Sequence, residues 1–124
     1  MIETVKVSEK AKIQLVTLKR RTGIENWNIL CRWAFCLSLK EKNFLPNENI
    51  VTDSTIEMTW KTFTGGDEDL YLALLIQRAK EDRISITKQE INNYFKLHLH
   101  RGISYLNNAN TQSIDRLLML TSSN

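Results

Sequence analysis

The chain has 124 residues, 42% of them hydrophobic and 25% charged, with a formal net charge of +3. That is an ordinary globular composition, long enough for a real core and without the ~20 consecutive apolar residues that a membrane-spanning helix needs. The opening stretch Met1-Ile2-Glu3-Thr4-Val5-Lys6 lacks the basic-then-apolar layout of a signal peptide, so one cytoplasmic domain over residues 1–124 is expected.

The charge is unevenly spread. Residues 1–42 carry nine Lys/Arg against four Asp/Glu, a net +5, and the remainder carry eight against ten. Such a concentration points either to a polyanionic partner or to a solvated face that keeps the protein soluble.

In chain order, Glu3 to Val7 alternates apolar Val5 and Val7 with polar Thr4 and Lys6, which predicts a short strand. Ser8 stands at a helix N-cap with Glu9 in the first turn; Ala11, Leu15 and Leu18 share one face, and Gly23 ends the run. This predicts a helix over about 8–22, with Lys19, Arg20 and Arg21 in its last turn. From Trp27 to Leu39 a second helix is apolar nearly all round, interrupted only by Asn28, Arg32 and Ser38. A soluble helix of that kind must be buried on every side. A chain this small has little material to wrap it, so self-association through Trp27, Leu30, Trp33, Phe35 and Leu37 is the expectation.

A polar loop with Pro46 follows, over about 40–55. Ile56, Met58 and Trp60 then alternate with polar residues as a second short strand, which Gly65-Gly66 breaks. Asp67, Glu68 and Asp69 open a helix whose last turn holds Arg78 and Lys80. Thr87 and Glu90 form a capping box for another, with Ile91, Tyr94, Phe95 and Leu99 at helical spacing until Gly102. The fold expected is mainly α with one or two short strands, divided into a basic strand-helix-helix part (3–40), a helical part (55–106) and a tail (107–124). A short apolar run, Ile114 with Leu117 and Leu118, lies in that tail, and no internal repeat is present.

Chemistry-bearing groups are sparse. His98 and His100 are two apart on a helix, which points them to opposite sides and rules out chelation of one ion. Asp67-Glu68-Asp69 lacks the further oxygens and spaced glutamate of a calcium loop, and Gly65-Gly66 lacks the Gly-Lys-Ser/Thr of a phosphate loop. Cys31 and Cys36, five apart on one helix, point away from each other, so buried free thiols of a reducing compartment are expected rather than a disulfide. A catalytic or sulfur-carrying role for either would need exposure and neighbouring positive charge. No metal, no cofactor and no catalysis are expected.

The run Leu18-Lys19-Arg20-Arg21-Thr22-Gly23-Ile24, with Asn26-Trp27-Asn28 and Leu30-Cys31-Arg32-Trp33-Ala34-Phe35-Cys36-Leu37-Ser38-Leu39, resembles the DndE family of DNA sulfur modification proteins. Trp60-Lys61-Thr62-Phe63-Thr64-Gly65-Gly66 and His98-Leu99-His100-Arg101-Gly102-Ile103-Ser104-Tyr105-Leu106 are similar to it too, so the likeness spans about residues 5–106. It implies a ribbon-helix-helix variant fold, assembly as a homotetramer and participation in DNA phosphorothioation. In that system sulfur replaces a non-bridging phosphate oxygen, and sister subunits resemble a cysteine desulfurase, an iron–sulfur protein and an ATPase. The resemblance further implies binding of double-stranded, nicked DNA without sequence readout, with the other modification subunits as partners and no membrane. The basic surface maps onto Lys10, Lys12, Lys19, Arg20 and Arg21, and extends to Lys6, Lys40 and Arg101. Two rivals stand beside this reading. One is a sequence-specific ribbon-helix-helix repressor, whose strand would read bases through Thr4 and Lys6, with Glu3 unfavourable against phosphates. The other is a scaffold for the modification complex that does not bind DNA.

Overall fold

A computed structural model describes residues 1–109. Two short strands and five helices follow one another as β1 (Thr4–Lys6), α1 (Glu9–Thr22), α2 (Trp27–Lys40), β2 (Glu57–Thr59), α3 (Trp60–Thr64), α4 (Glu68–Glu81) and α5 (Lys88–Asn108). The chain is mainly α, as the periodicities predict.

The strands pair with each other, antiparallel, with Thr4 opposite Thr59, Val5 opposite Met58 and Lys6 opposite Glu57. Trp60 N–H donates to the Glu3 carbonyl at 2.9 Å and prolongs the ladder by one bond. The ribbon is therefore closed within one chain. Its inner residue Val5 is buried, while Thr4 and Lys6 face out.

Ser8 caps α1 as its sequence predicts, accepting the Ala11 N–H, and Gly23 ends the helix at φ 75°. That left-handed conformation suits a residue without a Cβ. Ala11, Leu15 and Leu18 form its buried face.

Around α2 the sequence expectation needs correction. Leu30 and Phe35, read as contacts between copies, are 0% exposed within the single chain. Trp27, Trp33 and Leu37 are half-buried against the same core. The reason is α5, which is longer than its pattern suggested and lies across α2. With α1 and α3 it supplies the cover that a small chain was expected to lack.

Gly102 does not end α5. It sits inside the helix at the crossing, where an added Cβ would lie 1.7 Å from the Ala34 carbonyl oxygen. Glycine costs a helix interior about 1 kcal/mol against alanine. Close backbone packing of two helices outweighs that cost.

The second strand is also shorter than expected. Trp60 opens α3 instead of closing β2, because Thr59 accepts the Thr62 N–H as an N-cap. The Trp60 indole is held by the Glu68 carbonyl at 3.3 Å, and Trp60, Phe63, Phe95 and Phe35 pack as an aromatic cluster with centroid separations of 5.2–5.8 Å. The run Ile114, Leu117 and Leu118 lies outside the described residues.

Candidate nucleic-acid interface

The outward half of α1 carries the basic residues. Its buried stripe is Ala11, Leu15 and Leu18, so helical geometry turns Lys10, Lys12, Lys19, Arg20 and Arg21 toward the solvent side. One flank bears Lys12 and Lys19, seven residues apart; the opposite flank bears Lys10 and Arg21. Arg20 lies between them and is exposed.

Three of them have a local partner. Lys12 Nζ donates to Thr55 Oγ1 at 2.8 Å, and Lys19 Nζ stands 4.9 Å from the centroid of the Trp27 ring. Both amines remain on the surface. Arg21 reaches the end of α5, donating to the Asn107 and Ala109 carbonyls at 2.8 and 2.7 Å. Lys10 borders a cavity of about 450 Å³ with Phe44, Glu48 and His100.

Three other residues expected on this surface behave differently. Lys6 faces Glu57 across the ribbon at 3.9 Å, so the outer face of the ribbon is charge-balanced there. The carboxylate that would oppose phosphates beside Lys6 is therefore Glu57; Glu3 instead sits 3.5 Å from Lys88. Lys40 lies with Lys42, Arg78, Glu81 and Asp82 at the far end of α2.

Arg101 is not a surface residue at all, being 9% exposed. It donates through Nε to Ser38 Oγ at 2.9 Å, through Nη1 to the Asn43 carbonyl at 2.8 Å, and through Nη2 to the Ser38 and Glu41 carbonyls. Its expected role in phosphate contact is therefore corrected to a structural one. The last carbonyls of a helix have no partner within it, and a guanidinium supplies both donors and a charge that suits the helix dipole. Arg78, read from sequence as closing its own helix, does the same work from α4, donating to the Leu39 and Glu41 carbonyls at 2.6 and 2.8 Å. Its Nε also meets Asp82 at 3.1 Å, and Asp82 in turn accepts from the Tyr94 hydroxyl.

Ser38 joins this cluster to His98. Its Oγ accepts from Arg101 Nε and is hydrogen-bonded to His98 Nδ1, 2.8 Å away. The other ring nitrogen, Nε2, is buried without a hydrogen-bond partner among the described residues. Burial first, then Arg101 and Arg78, push the pKa of His98 down to about 3. His100 points elsewhere. Its Nε2 accepts the Ser8 N–H at 3.0 Å, so Nδ1 carries the proton and donates to the Lys96 carbonyl at 2.7 Å. Burial lowers its pKa too. Each histidine is thus held neutral by a separate structural task.

Burial pushes the Cys31 thiol up to about 12, which keeps it protonated. Cys36 is half-buried, and burial raises its pKa against the opposing pull of Arg32 and Lys40. Acidic residues at the start of α4 lie in its first turn, and no cluster of three metal-ligating side chains occurs among the described residues. No described helix is long and apolar enough to cross a membrane.

The family model for the DNA sulphur modification protein DndE matches residues 4–113. The chain belongs to the DndE family. Among solved structures, DndE from Escherichia coli B7A, involved in DNA phosphorothioation modification, is 23% identical, with a TM-score of 0.71 over 86% of this chain and 98% of its own. A mutant DndE, likewise involved in DNA phosphorothioation, is 20% identical, with a TM-score of 0.68 over 88% of this chain and 100% of its own. At these identities the likeness shows that the fold is shared. No curated protein sequence is significantly similar to the chain.

Proposed function

We propose that this chain is a DNA-binding accessory subunit of DNA phosphorothioation that holds nicked duplex DNA through the outer half of α1 and performs no chemistry itself. Family membership supplies the process. The observation that supports DNA as the partner is α1, where five cations and a single carboxylate, Glu9, surround the outward face. Lysines and arginines neutralise backbone phosphates and release counterions, which gives affinity without base readout. A nick makes the duplex easier to bend, so deformability rather than contact chemistry would supply preference.

The absence of chemistry in the proposal rests on positive assignments: a protonated buried thiol at Cys31 and two histidines engaged in packing. The repressor reading gains nothing, because Lys6 is matched by Glu57 on the outward face of the ribbon. Other partners in this reading are further copies of the chain and sister subunits of the modification system, within the cytoplasm.

Binding of the purified protein to intact, nicked and single-stranded DNA over a salt series tests the reading. Reversing Lys12 and Lys19 to Glu should weaken binding equally on unrelated sequences. Neutralising each should lower the slope of log K against log salt by about 1. Lys80→Glu on α4 should change little. Salt-independent or undetectable binding would leave only the scaffold role.

A further inference from the structure

The loop over residues 41–56, between α2 and β2, forms no helix or strand. Loops of more than about 12–15 residues in a compact domain are usually functional or linkers. This one is tied down at both ends. Glu41 Oε1 accepts the Asn43 N–H at 3.2 Å, Ser54 Oγ donates to the Val7 carbonyl at 2.8 Å, and Thr55 accepts from Lys12. Between these ties it holds Phe44 at 81% exposure, the most exposed large apolar side chain among the described residues.

Phe44 stands on the rim between two cavities. The smaller, of about 230 Å³, is bordered by Asp82 and Glu90 and by no lysine or arginine, which disfavours a polyanion. The larger, of about 450 Å³, lies between the loop, α1 and α5 and carries Lys10 at its edge. A second ring that reaches solvent, Tyr105 at 38%, borders it too. Across it Gln14 Nε2 donates to Ser104 Oγ at 3.3 Å. The Gln14 side-chain oxygen, the Ser104 hydroxyl proton and the Glu48 carboxylate bordering it have no partner among the described residues. His100 is only a wall here, since both its ring nitrogens are engaged.

We propose that this cavity receives an unpaired nucleobase of the bound DNA, stacked on Phe44, with Gln14, Ser104 and Glu48 along its polar edge and Lys10 at its phosphate. The inference rests on the DNA-binding reading and adds a part of the strand that the cations of α1 leave untouched. A wholly apolar ligand would strand Lys10, Glu48 and the Gln14 amide, and a sugar would leave the Phe44 ring unused. A base uses both, because every base has a stacking face and an edge of donors and acceptors. The volume falls within the range of about 300–1,000 Å³ usual for ligand pockets. Amide and hydroxyl groups both donate and accept, so the site tolerates any base and agrees with binding that reads no sequence. At a nick the terminal base leaves the stack at less cost than in a continuous duplex, so the cavity adds to the preference that deformability supplies.

The test compares intact and nicked duplexes of one sequence, and a nicked duplex with abasic sugars on both sides of the break. Phe44→Ala, checked for folding by circular dichroism, should bind the ordinary nick about tenfold more weakly. It should leave affinity for the intact duplex unchanged, and also the slope of log K against log salt, because the ring carries no charge. Phe44→Trp should keep the wild-type preference, and Leu70→Ala on α4, an equally simple loss of an exposed side chain, should change nothing. On the abasic nick the effect of Phe44→Ala should vanish, since ring and base act as one pair. Millimolar deoxyadenosine monophosphate should not displace the DNA. A wild type that binds no DNA sinks the DNA-binding reading, and this inference with it. Wild-type binding to the nick that Phe44→Ala leaves intact, or weakens equally on intact duplex or abasic nick, overturns the base site alone. Displacement by the mononucleotide also overturns it, in favour of a site for free nucleotides.

Discussion

On α1 Lys10, Arg20 and Arg21 are exposed, while Lys12 and Lys19 are half-buried, with their amines at Thr55 and over Trp27. At the carboxyl end of α2 two other arginines, Arg101 and Arg78, are 9% exposed and spend donors on backbone carbonyls. Identical chemistry is left at the surface in one place and terminates a helix in the other. What separates them is position relative to the buried stripe. Arg101 falls three residues after His98 and seven after Tyr94, on the packed face of α5, whereas the α1 cations lie off the line of Ala11, Leu15 and Leu18. A count of basic residues therefore overstates a binding surface until burial is known.

Substitutions should expose this contrast in order of size. The largest effect belongs to Gly102→Ala at the crossing. Its new Cβ would meet backbone atoms of Ala34 at 1.7 and 2.3 Å, and backbone cannot swing aside as a side chain can. Overpacking costs about 1–3 kcal/mol where neighbours can adjust, so the loss here should exceed about 3 kcal/mol by chemical denaturation. An alanine variant with native stability would show that α2 and α5 cross less closely than described.

Next comes Arg101→Ala. The Asn43 carbonyl loses its donor here, whereas the Ser38 and Glu41 carbonyls keep the Glu41 N–H and Arg78. A carbonyl left without a donor costs about 1–3 kcal/mol, so a loss of that size is expected, with DNA affinity of the remaining folded protein unchanged. A variant that keeps its melting temperature but loses salt-dependent DNA binding would return Arg101 to the recognition surface.

Acid gives the third and most gradual effect. The folded state holds His98 and His100 below their ordinary pKa, so the unfolded chain binds more protons as pH falls. Stability is fully present above about pH 6.5 and declines from there toward pH 3, at a rate of about 1.4 kcal/mol per pH unit for each proton taken up only on unfolding. His98→Gln should flatten that slope in urea titrations at several pH values. An unchanged slope would mean that His98 already titrates freely in the folded protein.

Much of the framework was legible from local signals. Ser8 and Gly23 bracket α1, Thr87 starts α5, and the acids before Leu70 start α4, because caps and dipoles act within one turn. The basic character of α1 was legible for the same reason. What the sequence hid were relations between distant segments. Gly102 reads as a helix stop unless Ala34 is known to lie against it. Trp60 continues a strand-like alternation, yet Thr59 turns the chain into α3. Leu30 and Phe35 read as an interface because nothing local shows α5 lying over them. For Arg101 one clue did exist: its place on the apolar stripe of α5 marks it as buried before any contact is known.

The bond between Ser8 and His100 carries a consequence for how the chain comes to its final shape. It joins residues 92 apart, and Asn92 likewise holds the Met1 carbonyl across 91. β1 finds its partner only at residues 57–59. The segment around β1 therefore closes in two stages, first on residues 54–60 and then on α5. Such long-range closures slow folding, because the entropy of a large loop must be lost before any contact repays it. That segment is thus secured fully only once α5 is in place, and a chain truncated before His100 would hold the start of α1 through β2 alone.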